Sequence, residues 1–156
     1  MDVENIETLG PWTVHIEAMD KALAANDTAE SMRAWRRAYS FALSHPGWLG
    51  LFTVATAARR VGTFPSLARD AAALARETYW ITFFRARQQR SFTGVLRTGE
   101  AFAMLGDSDS ANRCLRFAEM LDSSMGAAAE IDRVRLPAPP LGQRDAREGA
   151  ERCRLA

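Results

Sequence analysis

Cysteine, histidine and lysine are all scarce in this chain of 156 residues, with two, two and one of them, the single lysine being Lys21. Cys114 lies in a helical pattern and Cys153 near the C-terminus, so they supply neither a disulfide framework nor a spaced set of metal ligands. A reducing compartment suits them. His15 and Glu17 are two apart, which puts them on different faces of a helix, and His45 precedes Pro46 in a turn, so neither histidine begins a metal site. A glycine-rich phosphate loop and a serine nucleophile elbow are missing too. No enzymatic activity, metal or cofactor is therefore expected.

Charge of one sign is also lacking: 20 basic against 19 acidic side chains leave a net charge of +1, which offers no electrostatic footprint for nucleic acid. No apolar run approaches the ~18 residues that span a bilayer. The opening Met-Asp-Val-Glu-Asn has no basic region followed by an apolar stretch. These absences lead us to expect a cytoplasmic protein with neither a membrane nor a nucleic-acid partner.

Valine and isoleucine are too few for a large sheet, whereas 28 alanines suit helix. With 47% hydrophobic and 25% charged residues, the length allows one all-α domain with a sizeable core. The near-replacement of lysine by arginine along the whole chain reads as codon bias in a GC-rich, bacterial genome.

Periodicity divides the chain into a short acidic extension over 1–10, a helical domain over 11–125 and a tail over 126–156. Trp12, Ile16, Met19 and Leu23 predict a first helix over 11–25, and Asp27-Thr-Ala-Glu30 reads as a capping box for a second that ends near Leu43. A third, over 48–61, is nearly uncharged up to Ala58 and so is expected at the centre. A fourth runs from Ser66 to about Gln89, a fifth over 92–105, and a sixth follows the cap Asp107-Ser-Asp109-Ser to about Leu121. The proline-rich stretch Leu136 to Gly142 reads as a linker. The last fourteen residues alternate arginine with acids, which predicts a mobile tail with a transient helix over 143–153.

One segment carries a repeat-like spacing. Gly99, Phe102, Gly106, Ala111, Leu115 and Ala118 follow at steps of three, four, five, four and three. Small residues then stand where paired helices approach, bulky ones fill between them, and Gly106 permits the turn. This resembles a tetratricopeptide repeat, although Val95 and Thr98 replace the tryptophan and leucine of that pattern. The same steps from Met19 give Ala22, Asn26, Ser31, Trp35 and Ala38. From Ala55 they give Ala58 and Gly62 and then need one inserted residue to reach Ala68, Ala72 and Ala75. A non-repeat helical bundle with similar small-residue contacts is the competing reading.

The resemblance implies stacked antiparallel helix pairs whose concave face, lined by the first helix of each pair, holds a segment of a partner protein, as in an adaptor or chaperone-like module. In that register Thr13, Ile16, Asp20 and Leu23 would face inward from the first helix. Leu49, Phe52, Thr56 and Arg59 would do so from the third, and Thr93, Leu96, Arg97 and Glu100 from the fifth. The apolar members among them serve equally well as core residues. A second candidate surface is the run Tyr79, Trp80, Phe83 and Phe84, whose bulky side chains cannot share one helix face. Either the following helix and tail cover them, or they form a homodimer interface, in which case the alternative function is that of a ligand-sensing regulatory dimer.

Overall fold

The computed structural model describes residues 10–123. Residues 1–9 of the expected extension, the last two residues of the expected helical domain (124–125), and the whole linker and tail over 126–156 with Cys153 lie outside the described residues. Six helices and no strand occur among those described: α1 Thr13–Ala24, α2 Thr28–Ser44, α3 Leu49–Val61, α4 Ala68–Gln88, α5 Phe92–Met104 and α6 Ser108–Asp122. Each lies close to its expected bounds, so the fold is an all-α helical array. None of these helices is long and apolar enough to cross a membrane.

Three of the five turns share one construction. Asn26, Arg90 and Gly106 take left-handed backbone (φ 57°, 51° and 74°) at the ends of α1, α4 and α5. The N–H of the next residue, Asp27, Ser91 or Asp107, then donates back to the carbonyl of Ala22, Ala86 or Phe102 at 2.9 to 3.0 Å, which closes the helix end. The side chain of that same residue opens the next helix, accepting from the N–H of Glu30, Gly94 or Ser110 at 2.9 to 3.1 Å. The capping box expected at Asp27 forms only on this side. Because the Asp27 N–H is already bonded to Ala22, the Glu30 carboxylate turns to Arg33 at 2.8 Å and Arg37 at 3.6 Å.

The α2–α3 turn is built differently. Pro46 forces extended backbone on His45 (ψ 139°), which leaves the last carbonyls of α2 without helical donors. Arg85 reaches over from α4 and donates to the carbonyls of Ala42, Leu43 and His45, and Gln89 Nε2 donates to Pro46 at 2.8 Å. An arginine of α4 thus serves as the C-cap of α2.

Packing is tightest within the pairs α1–α2, α3–α4 and α5–α6, looser between α2 and α3 and between α4 and α5, and slight from α1 to α3 to α5. The odd-numbered helices therefore lie side by side in order. The outer pairs keep a common register 80 residues apart: Ile16, Met19, Ala22, Ser31, Trp35 and Ala38 are buried, as are Leu96, Gly99, Phe102, Ala111, Leu115 and Ala118. In α4 the matching buried positions are Ala71, Ala75 and Thr78, whereas Ala68 is exposed. The single inserted residue expected after Gly62 is thus an insertion of four. Gly62 to Ala71 is nine residues, against five from Asn26 to Ser31, and the Gly62–Leu67 connection absorbs the excess.

Aromatic rings seated on glycines join successive pairs. A Cβ on Gly50 would lie 2.8 Å from the Trp12 ring, and one on Gly94 would lie 2.8 Å from both the Trp48 ring and the Ala86 Cβ. Within the last pair, a Cβ on Gly99 would stand 3.1 Å from the Cys114 Cβ, so α5 and α6 do approach closely there. From α2, Trp35 Nε1 crosses to the carbonyl of Val54 at 2.9 Å.

Two outcomes follow for stability, measured by urea unfolding. Gly94→Ala gains about 1 kcal/mol of helix propensity but meets Trp48 and Ala86 below contact distance, at a cost of about 1–3 kcal/mol, so a net loss is expected. Arg85→Ala strips charged donors from several carbonyls and is expected to cost about 2 kcal/mol. Arg87→Ala, which removes only a guanidinium over the Phe117 ring at 5.0 Å, is expected to cost less than about 1 kcal/mol.

Candidate functional site

The side-by-side arrangement of α1, α3 and α5 makes a face on which the expected inward positions can be located. Phe52, Thr56 and Arg59 follow at helical spacing on α3, and all three are half-buried. The Phe52 ring packs against Tyr79 of α4 at 5.7 Å and against Trp48 at 6.1 Å. Thr56 shares a hydrogen bond with the Tyr79 hydroxyl at 3.1 Å, so Tyr79, although fully buried, ends its side chain at this row. Arg59 turns toward α5, where its Nη1 lies 3.8 Å from Met104 Sδ. Met104 itself is 68% exposed.

Other expected residues divide differently. Ile16 and Leu96 are buried among helices, Leu96 against Leu115 and Phe92, so their surface goes to packing. Asp20 is exposed and holds Arg60 through both carboxylate oxygens at 2.9 and 3.1 Å, tying α1 to α3. Since both partners are nearly half exposed, that pair contributes little stability. Arg97 is exposed and Glu100 half-buried. Among the described residues Arg59, Arg97 and Glu100 take part in no salt bridge. At the edges of the face Thr13, Leu23 and Leu49 are half-buried and Thr93 is exposed.

The sequence reading did not place Arg60, Tyr79 or Met104 at this face. Arg60 and Arg59 are adjacent and equally plausible partners for Asp20 in a linear pattern. Met104 reads as an apolar residue due for burial, and only its position at the open end of α5 exposes it.

The aromatic run on α4 is mostly interior. Tyr79 and Phe83 are buried, Trp80 is half-buried against Phe102 at 5.0 Å, and Phe83 meets Phe117 of α6 at 5.9 Å. Phe84 alone of the four stands open, at 51% exposure.

The titratable groups suit packing roles. His15 stacks on Phe41 at 4.9 Å, and the His45 ring meets Trp12 edge-on at 5.3 Å. No group of three or more His, Cys, Asp or Glu among the described residues could hold a metal ion. Cys114 is fully buried, and burial together with the Asp107 charge pushes its thiol up to about 12, which keeps it protonated and unreactive. Asp107 is partly buried, which raises its pKa. The Ser110 N–H and hydroxyl and the Arg76 guanidinium, at 3.2 Å, outweigh this and hold the carboxyl below its ordinary value.

With the geometry in place, comparison with family models, curated proteins and solved structures gives no match. The class of the protein therefore rests on its own architecture, an all-α array of six helices packed in sequence.

The Asp107 shift sets a pH test. Because the folded carboxyl has the lower pKa, its stabilisation is fully present above the ordinary value of 3.8 and is lost as pH falls through the folded value. The stability gap between the wild type and Asp107→Asn, which keeps an acceptor at the cap, is expected to be at most about 1 kcal/mol near neutrality. Urea midpoints should converge for the two proteins in acid. A gap that widens toward low pH would contradict this assignment.

Proposed function

We propose that the chain is a non-enzymatic interaction module, a degenerate tetratricopeptide-like array that binds a segment of a partner protein across the face of α1, α3 and α5. The order of packing supports it: tight pairs, with first helices touching in sequence, are what such arrays use to present a row of first helices. The observation that carries the reading is Arg59. Arg59 is half-buried in the row of Phe52 and Thr56, while its guanidinium, in an exposed contact with Met104 Sδ, has no carboxylate partner among the described residues. Such a side chain packs its stem on apolar surface and keeps its charged head in water, where a ligand can reach it. A ligand acid would supply the missing partner, and Phe52 and Met104 would take a neighbouring apolar side chain. Asp20 is engaged by Arg60, so it leaves Arg59 free for the ligand.

The homodimer reading retains only Phe84 and the outer part of Trp80, since Tyr79 and Phe83 are interior. That is a small remainder for an interface of ordinary size, and the peptide face is the better supported of the two.

A random peptide library displayed on phage tests the proposal. Selection on the wild type is expected to enrich an acidic residue next to a bulky apolar one, and Arg59→Glu and Phe52→Ala are each expected to weaken the selected peptides by about tenfold or more. Arg116→Glu, exposed on α6 and so not on a helix of the face, is expected to bind as the wild type does. No consensus, or the same consensus and affinity with Arg59→Glu, would sink the reading.

A further inference from the structure

The face of α1, α3 and α5 has an acidic neighbour in its own chain. Gly10 is fixed to the start of α1, its N–H donating to Thr13 Oγ1 at 3.2 Å and its carbonyl accepting from the Thr13 N–H at 2.9 Å. It packs on the Trp12 ring, and that ring lies on Gly50 in the first turn of α3. The chain therefore joins the array beside α3, at the Phe52 end of the row Phe52, Thr56 and Arg59. Residues 1–9, Met-Asp-Val-Glu-Asn-Ile-Glu-Thr-Leu, precede this point and carry three acidic side chains and no basic one. Val3 stands between Asp2 and Glu4, and Ile6 beside Glu7, so the segment twice sets an apolar side chain next to an acid. Such a pair is what Arg59, Phe52 and Met104 are suited to take.

Reach and charge both fit. From Gly50 to Arg59 is nine residues along α3, or about 14 Å at about 1.5 Å per residue. About four extended residues cover that distance, which brings Ile6 and Glu7 level with Arg59. On the face, Asp20 and Arg60 cancel as a pair. Arg59 and Arg97, which hold no carboxylate among the described residues, outnumber Glu100. The residues from 124 onward suit the face less well, because they carry six arginines against five acids and follow α6, which is not one of its helices. We propose that residues 1–9 occupy the face themselves, with Glu7 at Arg59 and Ile6 on the apolar surface of Phe52 and Met104, so that a partner segment must displace them. The proposal rests on the peptide-face reading, since both need Arg59 to receive an acid. Each contact is weak, but a short tether holds the segment at millimolar effective concentration, so a millimolar affinity fills about half of the molecules.

The test uses the full chain carrying 13C at its methionine methyls, with Asp2→Asn, Glu4→Gln and Glu7→Gln combined as a neutralised variant. Met104 reports on the face, while Met19, fully buried, and Met120, on α6, serve as references. Neutralisation is expected to shift the Met104 methyl and to leave Met19 and Met120 in place. A synthetic peptide of residues 1–9 is then titrated into each protein. It is expected to bind the neutralised variant saturably in the millimolar range and the wild type about threefold more weakly, because the tethered copy competes. It is expected not to bind the neutralised variant that also carries Arg59→Glu. An unmoved Met104, equal affinity for the wild type and the neutralised variant, or binding that survives Arg59→Glu overturns the proposal. The phage-selected peptides separate it from the reading beneath it. If they bind the face and Met104 does not respond to neutralisation, the partner site stands and self-occupancy falls. If Met104 responds as expected and selection yields no consensus, self-occupancy stands and the partner site falls.

Discussion

The distance at which neighbouring helices meet governs the rest of this molecule. Where α5 crosses α6 the contact is Gly99 against Ala111 and Cys114, and where one pair joins the next a tryptophan ring lies on the backbone at Gly50 or Gly94. Contacts that close need small residues, which explains why Ala34, Ala38, Ala42, Ala55, Ala57, Ala75, Ala86 and Ala118 are all fully buried. Alanine removes little apolar surface from water. Burial on the scale a domain needs must come from a few large rings instead, and Tyr79 and Phe102, packed edge to face at 5.9 Å, carry much of it. The fold is thus a small-residue lattice with aromatic fillers. The same economy of space lets the Tyr79 hydroxyl extend from α4 to Thr56 on the face of α3.

Short contacts leave little room for polar mismatch, and the arginines resolve most of what remains. Arg85 caps α2, Arg60 ties α3 to Asp20 of α1, Arg76 ties α4 to the Asp107 cap of α6, and Arg33 and Arg37 flank Glu30. A near-zero net charge therefore conceals an ordered distribution: several cations hold elements together, while Arg59 and Arg97 hold no carboxylate among the described residues. This is the sense in which overall charge was silent about function. The quantity that matters is which cations the fold leaves unpaired, and that depends on rotamers and neighbours rather than on counts.

The helices themselves were legible because the signals that set them are local. Asp27 and Asp107 accept from N–H groups three residues on, Gly106 adopts the left-handed backbone that its turn requires, and the apolar spacing of α1 and α5 survives in the structure. Long-range choices were not legible. Nothing near Trp12 announces that its ring will lie on Gly50, and Arg85 gives no local sign that its partners are carbonyls about forty residues earlier. The aromatic run on α4 was ambiguous for a related reason, since a helix face is exposed or buried only by virtue of what the later chain brings to it. Here Phe102 and Phe117 cover Trp80 and Phe83 and leave Phe84 open. At the candidate face, periodicity could not separate core from groove, and Ile16 and Leu96 went to the core.

Comparing the three first helices row by row distinguishes what packing requires from what it does not. Ile16, Phe52 and Leu96 occupy matching positions and are all apolar; Asp20, Thr56 and Glu100 occupy the next row and are all polar; Leu23, Arg59 and Ala103 occupy the third. Leu23 and Ala103 are half-buried hydrophobics packed against the core, so the architecture accepts an apolar side chain in that row on both outer helices. On the central helix it carries Arg59, a half-buried residue whose guanidinium makes an exposed contact with a methionine sulfur and has no carboxylate among the described residues. A charged residue in a row that the packing fills with apolar side chains breaks the local pattern, and residues that do so without structural compensation tend to mark sites kept for another purpose. The central position strengthens the inference. A segment laid across α1, α3 and α5 must cross α3, so a cation in its third row can be met by the ligand whichever direction the segment runs.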